Sequence, residues 1–382
     1  MIIKQPYDYN ALKTLYEMLS SIEREFRRCV DRDHNVFGIL FISSLIISPH
    51  IAYKRRRLLN QIKSMVYASP YNFICVIRTT APSYFPRTKR KNIWSLQKKA
   101  IDYLRDKCYV VVYDPNQTFL NHAKFLIYYH ICLSEKIIYR RKFYGSTNFT
   151  ATGLAYIWDL KGKGKIGNYE EYVITNHGAK LRLNKYDIFY LNEIKELIEH
   201  RAKLYTDQNY LKKFLTKHLN RLRFILKYSR KIVSSTPLGL LFRTYLNLVI
   251  LYSQTYALLD EIPGKKLTEE IENNLVEIQE PMDPFEIEVI VPISVEDKDV
   301  GLEEFEALAR DLNLKDKELR ESIVEYIKLI QNTYKIIRDK YVSNINTINY
   351  YYDSKEKEFL QFIEEYGYSH IKSIRKLIDL SG

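Results

Sequence analysis

Val36-Phe37-Gly38-Ile39-Leu40-Phe41-Ile42-Ser43-Ser44-Leu45-Ile46-Ile47, closed by Ser48-Pro49, is the stretch that decides the architecture of this 382-residue chain. It is too short to cross a bilayer and too uniformly apolar for a half-exposed strand, so it reads as a strand buried on both faces. Downstream of it, helical and extended runs alternate. Lys54 to Tyr67 predicts a helix, Asn72 to Arg78 a strand, Ile93 to Lys107 a helix and Tyr109 to Tyr113 a strand. Phe119 to Tyr129 and Lys136 to Tyr144 then read as adjacent antiparallel strands. A helix is expected from near Phe149, and Glu171 to Thr175 returns as a strand. Strands alternating with helical runs imply an α/β domain: a mixed sheet with helices on both faces. Upstream, Leu12, Leu15, Leu19, Ile22, Phe26 and Cys29 recur at helical spacing, so Asp8 to Val30 is an amphipathic helix that packs on this domain or on a partner.

Two short segments carry the chemistry, Asn121-His122-Ala123-Lys124 and Gly145-Ser146-Thr147-Asn148. They supply an imidazole, an ammonium, a hydroxyl and an amide, the groups needed to hold a phosphate diester and attack it without a metal. Neutral His122 can be the nucleophile, Lys124 can neutralise non-bridging oxygens, and Ser146 and Asn148 can donate hydrogen bonds to developing charge. His122 and Lys124 are two apart on an expected strand, so they share a face. The second segment sits at a strand end leading into a helix, where free N–H groups favour phosphate, although Thr147 or Asn148 could serve only as a helix cap. A third element, Asn168-Tyr169-Glu170, opens the apolar run Tyr172-Val173-Ile174.

These three elements in this order resemble the signature of the phospholipase D superfamily, H-x-K, then G-S-x-N, then N-x-E. The resemblance covers roughly residues 36 to 176. It implies a phospholipase D-like α/β domain and a phosphohistidine mechanism in which Glu170 orients an imidazole. That chemistry uses two facing motif sets, and this chain has one. A second H-x-K, His370-Ile371-Lys372, lacks a downstream G-S-x-N and reads as a helix surface pair. The resemblance therefore implies a homodimer sharing one site. The chain departs from the family pattern at Tyr129, where an aspartate is usual, and in a longer spacer, His130 to Lys142, which reads as an extended hairpin.

Charge is segregated. The net is +16 over residues 1–180, +8 over 181–260 and −11 over 261–382, within an overall +13. A polyanionic partner is the simplest reading of the first segment. The basic stretch Lys54-Arg55-Arg56-Arg57, then Arg78, then Arg87, Lys89, Arg90 and Lys91, and finally Arg140, Arg141 and Lys142 interleave with Tyr84, Phe85, Trp94 and Tyr139 to Tyr144. Cations among aromatics suit phosphate neutralisation and base stacking, so these are the candidate nucleic-acid contacts.

The rest predicts a mostly α-helical C-terminal region. Tyr186 to Val233 is helical with a break near Asp207-Gln208-Asn209. Thr236-Pro237 starts an apolar helix and Pro263-Gly264 is a turn. Phe285 to Val291 alternates as a short edge strand. Leu302 to Asn313, Asp316 to Val342, Lys355 to Tyr366 and Ser369 to Leu380 complete an acidic helical end, with ordinary packing preferred over a helix-turn-helix for Phe305 to Ile327. The expected organisation is an N-terminal helix (1–35), a catalytic domain (36–180), a basic helical region (181–260) and an acidic helical region (261–382). Scattered Cys29, Cys75, Cys108 and Cys132 point to a reducing compartment. With no leader or spanning segment visible, a cytoplasmic protein is expected. No cofactor or metal is expected: the histidines lack metal-like spacing, and Asp31-Arg32-Asp33 and Glu193-Ile194-Lys195 are expected away from the sheet. Three functions fit these features: a metal-independent nuclease, a phospholipid phosphodiesterase, or a non-catalytic nucleic-acid-binding subunit that docks a protein partner through its C-terminal helices.

Overall fold

A computed structural model describes residues 2–5, 11–31, 36–50, 52–53, 56–82, 91–113, 124–145, 170–180, 182–233, 236–273 and 301–379. The apolar run forms β2 (Val36–Ser44), every residue of which is buried. It is central in a seven-stranded sheet ordered β1-β9-β8-β7-β2-β5-β6. The neighbours are β1 (Ile2–Gln5), β5 (Phe73–Thr79), β6 (Tyr109–Val111), β7 (Phe125–Cys132), β8 (Ile137–Gly145) and β9 (Glu170–Lys180). β2, β5 and β6 run parallel, joined through α2 (Leu58–Ala68) and α3 (Lys91–Leu104). β7, β8 and β9 extend the sheet antiparallel on the other side of β2. The mixed sheet expected from alternation is therefore present. A two-residue hairpin, β3 (Ala52–Tyr53) with β4 (Arg56–Arg57), precedes α2, which starts later than the sequence suggests.

Side-chain alternation sorts the layers. On one face of the sheet lies α1 (Ala11–Val30), whose Phe26 meets Phe73 edge-on at 5.0 Å and His130 at 6.3 Å. Gly38 permits this approach, because a Cβ there would come within 2.7 Å of Phe73 and 3.0 Å of Phe26. α2 and α3 join this layer through Lys63, which reaches the Tyr103 carbonyl at 2.9 Å and Asp106 at 2.5 Å. The opposite face carries α4 (Lys185–Thr206), with Tyr190 against Phe125 at 5.7 Å.

The predicted break at Asp207 is a double cap. It ends α4, and its carboxylate accepts from Tyr210 N–H at 2.9 Å to start α5 (Gln208–Ile232). α6 (Leu238–Glu261) is buried along most of its length. Pro237 stands just before its first turn rather than within it, where its fixed φ still suits the entry. Gly264, at φ +94, makes the expected turn into α7 (Lys265–Asn273). α8 (Leu302–Asp311) and α9 (Asp316–Ile336) pack on α6 through Phe242–Phe305 at 6.5 Å and Tyr245–Tyr326 at 5.8 Å, which is ordinary helical packing. α10 (Ser354–Phe362) and α11 (Tyr368–Asp379) return to the β6 edge of the sheet.

Three expectations are corrected. Residues 1–35 are not helix alone, because β1 pairs antiparallel with β9 at the sheet edge; four residues are too few to display a period. The helix expected through Val342 leaves α-geometry after Ile336, in a π-helical turn Ile337–Val342. His370 is not a surface residue: it is fully buried and bridges two elements. Its Nε2 donates to the Pro70 carbonyl at 2.8 Å, so Nδ1 accepts from the Tyr109 hydroxyl at 2.9 Å. One continuous apolar core runs from Leu12 to Leu377, so the acidic helices are part of the fold's interior. The helix expected near Phe149 and the strand at 285–291 lie outside the described residues.

Candidate active site

β7 runs antiparallel to β2, so the start of β7 lies beside the carboxyl end of β2, with Ser43 opposite Phe125. Lys124 immediately precedes β7 and is half-buried. β8 returns alongside, and the Gly145 N–H donates to the Lys124 carbonyl at 3.3 Å. Gly145 is opposite Tyr172 of β9, and Glu170, the first residue of β9, is opposite Gln5 of β1. Lys124, Gly145 and the start of β9 thus form one row at the end of the sheet where β2 and β5 also finish, Ser44 opposite Thr79. Open α/β sheets present ligand sites at this end, outside the carboxyl ends of their parallel strands. Two catalytic candidates fall on the row, Lys124 by its position and Glu170 by its backbone. His122, Ser146 and Asn148 lie outside the described residues.

A buried amide braces this end. Gln97 on α3 accepts from the Ile47 N–H at 2.7 Å and donates to Thr79 Oγ1 and the Thr80 carbonyl, each at 2.8 Å. One side chain thereby ties together the segments leaving β2 and β5. Sequence alone carries no sign of it, since Gln97 reads as an ordinary polar position on a helix.

The basic candidates divide. Arg78, Arg140 and Arg141 are buried, which corrects their assignment as nucleic-acid contacts. Arg78 pairs with Glu193 of α4 and lies 5.7 Å from the Phe41 ring. Arg140 Nε donates to Asp187 at 2.8 Å, and Arg141 donates to Glu25 of α1 at 2.5 Å. Each cation meets a carboxylate from a helix covering its own face, and burying it without one is costly. Glu193, expected away from the sheet, therefore lies against it. Lys142 is half-buried, 4.0 Å from Asp187 and 5.8 Å from the Tyr190 ring centre. Arg57 is exposed. Arg56 and Lys91 are described by backbone alone, in β4 and α3, and Arg55, Arg87, Lys89 and Arg90 lie outside the described residues.

Asp187 is the residue that sequence reading missed. It completes a capping box with Asn184, and its Oδ2 accepts from Asn184 N–H at 2.9 Å as well as from Arg140. It also stands beside Tyr129, whose hydroxyl pKa is pushed up by burial and by this carboxylate. The Asn184-x-x-Asp187 spacing is the signal that could have found it. Tyr144, next to Gly145 on β8, is exposed, as are Tyr186 and Phe189 in the first turns of α4, and burial, with Glu193 and Tyr144 nearby, raises the Tyr190 hydroxyl pKa.

Among the described residues no cluster of His, Cys, Asp and Glu could hold a metal ion, and no helix is long and apolar enough to cross a membrane. Comparisons of the chain with protein-family models, with curated proteins and with solved structures return no match.

Proposed function

We propose that this chain is a metal-independent phosphodiesterase of the phospholipase D type that cleaves nucleic acid at a site shared by two copies. The observation that carries the reading is the common row. Lys124 and Gly145, the ends of two motif segments, are backbone partners, and the third segment begins β9 beside them. The register of the β7–β8 hairpin and of β9 brings the described parts of the three segments to one edge of the sheet, which supports reading them as one site. The exposed Tyr144, Tyr186 and Phe189 favour a substrate with stackable bases. A carboxylate beside Tyr129 reduces the weight of that departure, since Asp187 brings from α4 what the family carries on the strand.

In this mechanism the His122 imidazole attacks phosphorus, and a P–N bond forms as the bond to the leaving oxygen breaks. His122 of the second copy donates its proton to that oxygen. It then takes a proton from water, whose oxygen attacks phosphorus and releases the first histidine. Lys124 and Asn148 hold the non-bridging oxygens, Ser146 supports them, and Glu170 accepts the remaining imidazole N–H. The test is a panel of single-stranded and duplex DNA and RNA, with phospholipid vesicles alongside, in excess EDTA. Cleavage of nucleic acid that His122→Ala abolishes supports the reading. Strict dependence on added magnesium, or turnover of lipid alone, rejects it.

A further inference from the structure

α5 is amphipathic in an uncommon way: its outer face is basic and aromatic, without one carboxylate in the helix. Lys213, Lys217, Phe224, Lys227, Tyr228 and Lys231 share one face, falling within about 100° of arc at 100° per residue. From Lys213 to Lys231 the stripe is about 27 Å long at 1.5 Å per residue. All six are exposed, Phe224 at 71% and Tyr228 at 47%. Two large aromatics left open among four lysines, on a helix whose other face is packed, suit a ligand that carries both negative charge and flat rings.

The position of α5 ties it to the sheet. Tyr113, just beyond the carboxyl end of β6, lies 5.9 Å from Phe214 and 6.2 Å from His218 on the inner face of α5. His218 in turn bonds Thr255 of α6 at 2.9 Å. The helix is therefore seated beside β6, at the same end of the sheet as the motif row and three strands from β7.

We propose that the outer face of α5 binds a single-stranded segment of nucleic acid, its lysines neutralising phosphates and Phe224 and Tyr228 stacking bases. This deepens the phosphodiesterase reading by naming how the substrate strand is held. Cations interleaved with open aromatic faces suit unpaired bases, whereas a duplex keeps its π-faces stacked inside. A membrane surface fits less well. An interfacial helix needs a broad apolar face, and that of α5 is occupied inside, with Leu211, Leu215, Leu219 and Leu222 buried.

The experiment is fluorescence anisotropy on the full chain, with His122→Ala included to prevent turnover. The probes are a short labelled deoxythymidine oligonucleotide, the corresponding duplex and vesicles containing phosphatidylserine. Replacing Phe224 and Tyr228 together by Ala is expected to weaken single-strand binding tenfold or more. Replacing Lys213, Lys217 and Lys227 by Gln is expected to lower the slope of log affinity against log salt by about 2. Single-strand affinity unchanged in both variants overturns the proposal. So does a loss confined to the lysine variant with duplex and single strand bound alike, or binding to vesicles alone. Hydrolysis of a small aryl phosphodiester by the wild-type chain, measured in parallel, reports on the motif site by itself. If that hydrolysis is missing while α5-dependent binding persists, the catalytic reading fails and this one stands.

Discussion

The Gly145 N–H donates to the Lys124 carbonyl at 3.3 Å, which joins the two motif segments through their backbones. Because this bond is backbone to backbone, the chemistry is testable by side-chain substitution. Lys124→Ala leaves the hydrogen bond available and is expected to change stability by about 1 kcal/mol or less. Its effect on turnover is expected to be a loss of about 10²- to 10³-fold, the usual consequence of removing a group that stabilises charge in the transition state. Diester hydrolysis in EDTA and a urea unfolding curve on the same sample decide the matter. Full activity in Lys124→Ala rules out its role.

Gln97 braces the same end from behind, and its three hydrogen bonds are buried. Gln97→Leu keeps the volume but orphans the Ile47 N–H and the Thr80 carbonyl, at about 1–3 kcal/mol for each buried group. Because the brace holds backbone, turnover of a bound oligonucleotide should fall more than its affinity. Gln97→Glu, which preserves the acceptor for Ile47, is expected to recover part of the stability. A Gln97→Leu variant as stable as wild type would show that the network is dispensable.

Asp187 is fully buried and carries Arg140, the α4 cap and contact with Lys142 on one carboxylate. Asp187→Ala leaves a buried guanidinium unpaired and is expected to cost about 3–5 kcal/mol. Tyr129→Phe should cost far less, because it removes one neutral hydroxyl and leaves Arg140 paired with Asp187. Tyr129→Asp, which supplies the residue usual at this place in the phospholipase D pattern the sequence resembles, would set two carboxylates side by side in the interior and is expected to destabilise the chain. Chemical denaturation of the three variants orders them. A Tyr129→Asp protein as stable as wild type would mean that the Asp187 carboxylate is not the strand's substitute.

Local signals in the amino-acid order account for much of this fold. The run from Val36 to Ile47, with helices and strands after it at regular intervals, marks a mixed sheet because a strand buried on both faces reads as continuous apolarity. Asp207 marks the boundary between α4 and α5, since a carboxylate that caps the N-terminus of α5, with its own N–H closing the last turn of α4, is a local signal. What is not legible is whatever depends on distant partners. Arg78, Arg140 and Arg141 look like a basic surface in sequence, and each is neutralised by a carboxylate about fifty or more residues away. His370 looks exposed for the same reason: Tyr109 and Pro70, its two partners, are far off in the chain.

A shared site makes a prediction about mixed assemblies. If each dimer needs His122 from both copies, random reassortment of equal amounts of wild-type and His122→Ala subunits leaves about a quarter of the dimers intact. Activity per wild-type subunit should then fall to about half. Mass in solution should correspond to two chains. An activity that stays proportional to the wild-type subunits added would assign the whole reaction to one copy.

The buried histidines give the chain a pH profile whose sign can be worked out. Burial lowers His370 and His200 to about 4 and His218 to about 3, while each titrates near 6.5 when unfolded. Between those values the unfolded chain binds more protons than the folded one, so stability is full above about pH 6.5 and falls as pH drops. Each histidine contributes a slope of order 1 kcal/mol per pH unit over that window. Glu261 and Glu356, whose carboxyls burial raises, act in the opposite sense and temper the fall. His200 stands 3.6 Å from Glu261 but beside Arg201, and burial with that cation keeps it neutral despite the carboxylate. Urea midpoints are therefore expected to drop steeply from pH 7 to pH 5. His370→Gln, which can still donate to Pro70 but cannot titrate, is expected to flatten the curve by roughly a third while lowering stability at pH 7. A curve for His370→Gln parallel to that of wild type would show that His370 is already accessible to protons in the folded chain.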